Sequence, residues 1–418
     1  MRSLLLWLLG RIAMVVASVL VVVAGASNVW SQTRYSPVKL GVDNLLELRL
    51  EPLRGKRIAL VCNAASRTRF ERETLAEIAS NGNVAIASVL LVEGTAIPHA
   101  PALQHVPTYL LSAGNRRPTR AMLHECDAVV IDVQDVGLRP ALTLGTLYHI
   151  LDACAEYGIE VYILDRPNPL GGVVVDGAIP SPALERTSFT VVPVPYIHGM
   201  TIGELALMIN SEGWLSPDPV SKRPRQCKLH IVKMRRWRRT ATWDQTHWQW
   251  IAPSPNIPSP DALRGMAIVG LVGELGAVSV GIGTDRPFQF IGAPDFSEEI
   301  IARLCDFFAR HGIVATPTSF LPSHGAHAGT LCRGVTFNIP AALPLPSYTV
   351  ACELLDTLAA LYRPVRDSLD QLHHRQRLLR ITGDIRFAVS DSWQSGSIAH
   401  HAMFEDFLSR RQRYLLYP

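Results

Sequence analysis

The chain has 418 residues, 48% of them hydrophobic, and a formal net charge of +4. This length allows two or three domains with substantial cores, and the high hydrophobic content excludes an intrinsically disordered chain. A nucleic-acid-binding protein more often carries a concentrated basic face and a domain pI above about 9, whereas the pI here is about 8.7. Nucleic acid is therefore not expected as a partner.

Residues 1–26 predict export. Arg2 and Arg11 are followed by the uncharged run Ile12–Ala26, which ends in small residues. A basic start and an apolar run of about 7–15 residues are typical of a secretory signal peptide. The alternative is an uncleaved N-terminal anchor, which would be the chain's only contact with a membrane, although a span needs about 20 apolar residues. Residues 27–40 are a polar leader, and we expect the rest of the chain to be periplasmic or extracellular.

Residues 41–215 are expected to form an α/β domain with a Rossmann-like, doubly wound sheet. Unbroken β-branched runs are typical of parallel strands covered on both faces, and here they alternate with segments of helical spacing. Strands are predicted at Arg57–Cys62, Val84–Val92 and Pro107–Leu111, and in the runs that begin at Ala128 and Val161. Helices are predicted at Gly41–Leu50, Glu71–Ala79, Thr119–Glu125 and Thr146–Gly158, and after Thr201, which forms a capping box with Glu204.

The turn-rich segment Gly213–Arg225 is the predicted domain boundary. Residues 226–418 are expected to form a smaller α/β or α+β domain, with a strand at Leu229–Met234 and a cleft between the two domains. Its helices are predicted at Phe296–Ala309, Val350–Leu361 and Phe404–Tyr417.

Polar side chains follow several predicted strands where those strands end. Open α/β sheets bind ligands at the carboxyl ends of their strands. Glu93 directly follows the second strand, where partial burial would raise the pKa of its carboxyl as a general acid requires. We therefore select Glu93 as the candidate catalytic residue; the alternative is a surface acid before a glycine turn. The polar candidates beside it are Asn63, Gln134, Asp135, Asp165, Arg166, Asn168 and His198.

Some of these candidates also have a structural explanation. Asp165 and Arg166 can form an internal ion pair that fixes their loop. Asn168 and Asn256 lie between prolines, where a side-chain amide either binds a sugar hydroxyl or acetamido group or satisfies its own loop backbone. His198 is a candidate for acid–base chemistry.

The spacing of the remaining reactive residues does not predict a metal site or a serine hydrolase. The seven cysteines occur singly and form no Cys-x-x-Cys pair, and the histidines lack metal-ligand spacing. No Gly-x-Ser-x-Gly elbow is present. We interpret Cys62, Cys126 and Cys154 as small buried hydrophobic residues, although an exported protein can also form one or two disulfides.

Taken in order, the motifs resemble the NamZ-type exo-β-N-acetylmuramidases, an exported bacterial family of cell-wall recycling. The resemblance covers residues 41 to 418. It is carried by GVDNLL at 41–46, GKRIALVCN at 55–63, RPT at 117–119, QDVGLR at 134–139, LDRPNPLGG at 164–172, HGMTIGE at 198–204, WIAPSPNIP at 250–258, GTDRPFQFIGAP at 283–294 and RYLLYP at 413–418.

The resemblance implies removal of MurNAc from the non-reducing end of peptidoglycan fragments, without a metal or organic cofactor. The ligand would be a peptidoglycan-derived sugar or muropeptide. Glu93 would protonate the glycosidic oxygen. The second catalytic group would be either Asp135 or the substrate's own acetamido group. Arg286 or Arg139 would bind the lactyl carboxylate. The side chains that would hold the sugar are Asn63, Gln134, Arg139, Asn168 and Asn256.

Several polar positions of the family are replaced in this chain. The glutamate after the second strand remains as Glu93, but the histidine that follows it in the family is missing, as is the one after Asn63. Apolar residues stand in the glycine-rich loop at Ala277, Val280 and Ile282. Each lost polar contact to a transition state typically costs about 10²–10³ in rate. Three hypotheses therefore stay open: a glycosidase of altered specificity, a non-catalytic paralogue that binds glycans or a protein, and a transferase or deacetylase on the same scaffold.

Overall fold

The computed structural model describes residues 37–92, 105–112, 114–182, 184, 186–388 and 398–418, with side chains from residue 402 in the last range. The predicted signal peptide or anchor, nearly all of the leader and Glu93 lie outside the described residues. Val38–Pro418 forms one compact unit. None of the helices in the described ranges is long and apolar enough to span a membrane.

Six parallel strands form the larger sheet, in the order β3-β2-β1-β4-β5-β6. This is the strand order of the Rossmann fold, so the predicted fold class is confirmed. The strands are β1 (Arg57–Cys62), β2 (Ala85–Val92), β3 (Thr108–Leu111), β4 (Ala128–Asp132), β5 (Glu160–Leu164) and β6 (Leu229–Val232). The sheet thus draws a strand from beyond residue 226.

Both faces of this sheet are covered, as the unbroken apolar runs indicate. Along β1, Ile58 and Leu60 pack into one core cluster and Ala59 and Val61 into another, because successive strand residues face opposite sides. The helices of this part are α1 (Gly41–Glu47), α2 (Thr74–Ala79), α3 (Leu142–Tyr157) and α4 (Ile202–Ser211).

The helix predicted at Thr119–Glu125 is wrong. The segment forms successive turns in which the amides of Met122, His124 and Cys126 donate to the carbonyl three residues earlier. Glu125 then takes a positive φ of 57°, and the backbone amide of Arg57 binds the carboxylate of Asp127. The chain therefore passes through turns rather than a helix before it enters β4.

The chain after residue 260 forms a smaller antiparallel sheet, in the order β7-β9-β8, and the remaining helices. Its strands are β7 (Phe290–Ala293), β8 (Val314–Phe320) and β9 (Cys332–Asn338). The helices are α5 (Pro260–Gly273), α6 (Glu298–Arg310), α7 (Ser347–Leu361), α8 (Arg363–Asp370), α9 (Leu372–Thr382) and α10 (Ile398–Arg411). One large apolar core joins this sheet to α5, α6 and α7.

Candidate functional site

The strand order of the large sheet reverses between β1 and β4. From β1 the chain continues to β2 on one side, whereas from β4 it continues to β5 on the other side. Open α/β sheets bind ligands in the crevice at this point. β1 ends at Cys62 and is followed by Asn63; β4 ends at Asp132 and leads to Gln134 and Asp135. These residues come together as predicted, and their hydrogen bonds show what each side chain does.

Asn63 and Gln134 tie the two strand ends together. The Asn63 amide donates to the Gln134 carbonyl at 3.0 Å, and its oxygen accepts from the backbone amides of Ala65 and Gln134. Gln134 Nε2 donates to the carbonyls of Asp135 and Pro167, each at 2.8 Å. Both side chains are buried, so they brace the loops in this structure.

Asp132 and Arg166 form a buried bidentate pair. Arg166 Nε and Nη2 lie 2.6 and 2.8 Å from the two carboxylate oxygens of Asp132. The Thr74 hydroxyl donates to the same carboxylate at 2.5 Å. The hypothesis of an Asp165–Arg166 ion pair is therefore wrong: Arg166 gives Asp165 only a backbone N–H, because the two side chains of adjacent residues diverge at the strand end.

Asp165 serves as an anchor for α4. Its carboxylate accepts from the Thr201 hydroxyl and the Gly203 amide at 2.8 Å and from the Tyr417 hydroxyl at 2.5 Å. Complete burial raises the pKa of Asp165 to about 6, against the lowering effect of these donors. The predicted capping box of Thr201 and Glu204 is present. The motifs at 164–172 and 198–204 and the chain terminus thus meet at one carboxylate.

Asp135 and His198 form a second buried pair. The Met200 amide donates to His198 Nδ1 at 3.2 Å, so the neutral ring carries its proton on Nε2. That nitrogen lies 3.4 Å from Asp135 Oδ2, which also accepts from the Gly137 amide at 2.8 Å. Asp135 Oδ1 is buried and has no hydrogen-bond partner among the described residues.

Arg139 and Asn168 hold loop backbone. The Arg139 guanidinium is 1% exposed and donates to the carbonyls of Phe189, Ile381 and Thr382. Burial lowers the pKa of Arg139 to about 10. Asn168 donates to the Met200 carbonyl and accepts from the Leu170 amide. The structure therefore places both side chains inside the protein.

No contact among the described residues joins Asn256 or Arg286 to the strand ends of the large sheet. Asn256 is exposed in a turn before α5. Arg286 is partly buried, contacts Gln289 Oε1 through Nη2 at 3.1 Å and lies over the Phe290 ring. The structure does not bring either residue together with Asn63, Gln134 or Asp135.

Tryptophans close the crevice at the reversal point. Trp248 Nε1 donates to the Val38 carbonyl at 2.7 Å, and Trp243 is buried in edge contact with Trp250. The space left beneath them is only about 20 Å³. The aromatic segment thus acts as a plug in this structure. The remaining cavity is lined by Leu40, Ala65, Arg67, Gln134, Arg166, Trp243, Trp248, Gln249 and Ile251.

Larger cavities lie elsewhere among the described residues, and two of them adjoin sequence motifs named above. One, of about 280 Å³, separates the loop at Pro169–Val174 from the segment at Ile339–Ser347 and is mainly apolar. The other, of about 230 Å³, is polar and basic, and it follows β3. Sequence reasoning did not select this second cavity, although the Arg117-Pro118-Thr119 motif adjoins it. Its lining residues are Gly114, Asn115, Arg116, Arg117, His149 and Ser188.

The described residues hold no group of three or more His, Cys, Asp or Glu side chains arranged for a metal ion. The seven cysteines are free thiols. Burial raises the pKa of Cys62 and Cys227 to about 12, which keeps both thiols protonated.

Sequence models of exo-β-N-acetylmuramidase NamZ match this chain over most of its length. The N-terminal model matches residues 58–261 and the C-terminal model residues 265–417. The chain belongs to the NamZ family.

Relatives of known sequence or structure agree with this assignment. The peptidoglycan β-N-acetylmuramidase NamZ of Bacillus subtilis (strain 168) is 30% identical over 401 residues, which cover 93% of each chain. Two crystal structures of DUF1343 family proteins from Bacteroides fragilis NCTC 9343 share the fold. One has a TM-score of 0.82 at 28% identity, and the other 0.68 at 26%; each match covers 91% of this chain and 99% of the other. The fold is thus shared with solved structures over 91% of this chain.

Proposed function

We propose that this chain is an exported glycoside hydrolase that removes MurNAc from the non-reducing end of peptidoglycan fragments, with altered specificity. Muramidase-like hydrolase chemistry follows from its family. The observation that carries the proposal is the match of both NamZ models to one chain that keeps Glu93 directly after β2. Export is supported by the signal-like pattern of residues 1–26.

Glu93 would act as the general acid. It follows Val92, the last residue of β2, which is 4% exposed. Partial desolvation of a carboxyl favours the protonated form that a general acid needs. Proton transfer from Glu93 to the glycosidic oxygen would accompany formation of an oxocarbenium-like sugar.

The second catalytic group would be the acetamido group of the substrate. Three carboxylates stand at the ends of β4 and β5, at Asp132, Asp135 and Asp165, and each is at most 4% exposed. All three accept hydrogen bonds from protein groups. We therefore favour attack by the acetamido oxygen over attack by Asp135. This route predicts retained anomeric configuration and inhibition by a muramic thiazoline.

Hydrolysis of para-nitrophenyl β-N-acetylmuramic acid by the purified chain tests the proposal. On a MurNAc-terminated glycan, whose leaving alcohol needs a proton, Glu93→Gln should lower the rate by about 10²–10⁴, the usual range for a general acid. On the para-nitrophenyl glycoside, whose leaving group departs readily without protonation, the loss should be smaller. The matched control is Glu71→Gln, which changes an exposed acid in the loop after β1 and should leave the rate unchanged. Equal rates of wild type and Glu93→Gln on the MurNAc-terminated glycan would exclude the proposed acid.

A non-catalytic paralogue that binds glycans is the second candidate. The replaced positions of the glycine-rich loop are absorbed into the core: Val280 is 4% exposed and belongs to the large cluster of the smaller sheet. Ala277 and Ile282 pack against the same cluster. If this candidate is right, neither wild type nor Glu93→Gln releases para-nitrophenol, and the wild-type chain binds muropeptides measurably.

A further inference from the structure

The segment that follows β6 carries a row of exposed cations at one edge of the large sheet. β6 lies at the end of the strand order, next to β5. A surface that concentrates positive charge attracts anionic partners. The four exposed cations of this segment, which we call the basic edge, are Lys233, Arg235, Arg236 and Arg238.

Two buried side chains within the same segment fix the position of the basic edge. Met234 and Trp237 are 4% and 1% exposed, and they pack in one apolar cluster with Val38 and Tyr417. The Met234 amide donates to the Tyr417 hydroxyl at 3.0 Å, and the rings of Trp237 and Tyr417 meet edge to face at 5.2 Å between centroids. Because Met234 and Trp237 face this cluster, the four cations remain on the outside.

Most of the positive charge of the basic edge is not neutralised within the part of the chain that the structure describes. Arg235 lies 3.6 Å from Glu47, a carboxylate that also pairs with Lys39. For the other three cations, none of the described carboxylates comes within ion-pairing distance. Their charge therefore remains available to an anion outside the protein.

The N-terminal segment of the chain enters the fold beside the basic edge. The Lys39 amide donates to the Arg235 carbonyl at 3.0 Å, and the Arg235 amide donates back to the Lys39 carbonyl at 2.9 Å. The ten residues 27–36, which follow the predicted signal peptide or anchor, contain Arg34 and no acidic residue. Even fully extended, this leader spans at most about 40 Å. If residues 1–26 stay in the membrane, the basic edge is held close to the membrane surface.

A partner at the basic edge would leave the candidate catalytic strand end open. In the strand order, β6 is four positions from β2, which corresponds to about 19 Å along the sheet. Glu93 directly follows β2. A surface that covers the edge at β6 therefore does not have to cover the strand end that precedes Glu93.

We propose that the basic edge binds the anionic phospholipid surface of the membrane across which the chain is exported, and so holds the folded chain at that surface. This inference rests on the export part of the proposed function. Each Lys or Arg near an anionic leaflet strengthens association about fivefold. A lipid surface is favoured over a soluble polyanion because the leader that comes from the membrane joins the fold at Arg235.

Amine acetylation read by mass spectrometry tests this contact on the full chain. Lys233 follows the last residue of β6 and Lys228 precedes its first, so the two lie about 16 Å apart along one strand. The chain is acetylated on vesicles of phosphatidylcholine alone and on vesicles of equal parts of phosphatidylcholine and phosphatidylglycerol. Acetylation of Lys233 relative to Lys228 should fall about fivefold on the anionic vesicles. High salt should abolish this protection, because it screens exposed charges.

Arg236→Gly separates lipid binding from folding. Arg236 has a φ of 68°, which glycine adopts without strain, so the variant should fold as stably as wild type. It should raise about fivefold the amount of anionic lipid that half-protects Lys233. The matched control is Lys222→Gly, at an exposed cation with a φ of 58° in the loop before β6, and it should leave the protection unchanged. An unchanged lipid requirement in Arg236→Gly would contradict the proposal.

Two other results would overturn the membrane contact. The first is equal acetylation of Lys233 on neutral and anionic vesicles. The second is stronger protection by a soluble glycerol phosphate polymer than by the bilayer at the same phosphate concentration, which would assign the basic edge to a free polyanion.

The inference and the proposed function fail separately. A chain whose Lys233 is protected on anionic vesicles, but which fractionates with the cytoplasm of its host, keeps the lipid-binding surface and loses the export assignment. An exported chain whose Lys233 reacts equally on both kinds of vesicle keeps export and loses the surface. Hydrolysis of the muramic substrate depends on neither result and tests the catalytic assignment alone.

Discussion

Arg166 and Asp132 join the ends of β5 and β4 through two contacts of 2.6 and 2.8 Å, with both side chains at most 5% exposed. The pair lies below the tryptophan plug and shares Asp132 with the Thr74 hydroxyl at the start of α2. The Asp132 carboxylate thus holds together the end of β4, the segment after β5 and the start of α2.

Breaking this pair should strongly destabilise the fold. Arg166→Met leaves the Asp132 carboxylate buried without its partner, and we expect a loss of about 3–5 kcal/mol in the free energy of unfolding. The double variant Asp132→Asn/Arg166→Met removes the orphaned charge and should recover part of that loss. Urea unfolding followed by circular dichroism measures the free energy of unfolding of these two variants and of Asp132→Asn alone. Additive losses in the double variant would show that the two side chains do not interact.

Two helical glycines should respond in opposite ways to alanine. A Cβ at Gly203 would lie 2.8 Å from Asp165 Cγ and from Ile231 Cγ2, so Gly203→Ala should cost about 1–3 kcal/mol by overpacking. A Cβ at Gly270, in α5, meets only Met266 Cγ at 3.7 Å, and Gly270→Ala should stabilise by about 0.5–1 kcal/mol. Thermal unfolding shows whether each variant is less or more stable than wild type. If Gly203→Ala and Gly270→Ala both stabilise the protein, the close packing around Asp165 is contradicted.

Tyr417, next to the C-terminus, should contribute to stability through its hydroxyl. That group donates to Asp165 Oδ2 at 2.5 Å and accepts from the Met234 amide at 3.0 Å. Tyr417→Phe leaves both partners buried with one hydrogen bond fewer, so we expect a loss of about 1–3 kcal/mol. Tyr414→Phe is the control, because its partly buried hydroxyl donates to Glu212 and to no other of the described residues. A smaller loss for Tyr417→Phe than for this control would refute the anchoring role.

Asp356 should make the fold less stable as pH rises. Partial burial, aided by the charge of Glu353, raises the pKa of Asp356 to about 6 from 3.8. The folded chain therefore binds more protons than the unfolded chain between these values, and stability falls as pH increases from about 4 to 6. Asp356→Asn should remove this part of the slope.

The gain from Asp356→Asn at pH 7 should be about 1 kcal/mol, because the site is only about half buried and solvent screens its charge. Asp165, whose pKa is also raised to about 6, keeps a slope of the same sign in the variant. Urea unfolding at pH 4.5 and pH 7 measures the difference. Equal stability of variant and wild type at both pH values would contradict the prediction.

Local patterns were sufficient for much of the fold. β1 spans the residues predicted for it, and the Thr201–Glu204 capping box is present, because periodicity and capping depend on a few neighbouring residues. The segment at Thr119–Glu125 failed for a tertiary reason: its amides follow turns that direct the chain into β4. The sequence also predicted that the polar side chains at the strand ends lie close together, and Asn63 indeed bonds Gln134.

By itself the sequence determined the order of elements, the parallel sheet and the family, because these depend on patterns read along the chain. Only the tertiary structure decided which polar groups are buried as braces. Asn63 bonds Gln134 across 71 residues, and Asp165 bonds Tyr417 across 252. It also assembled Arg116, His149 and Ser188 around one cavity. Buried polar groups must find partners, and which distant segment supplies a partner depends on how the chain packs.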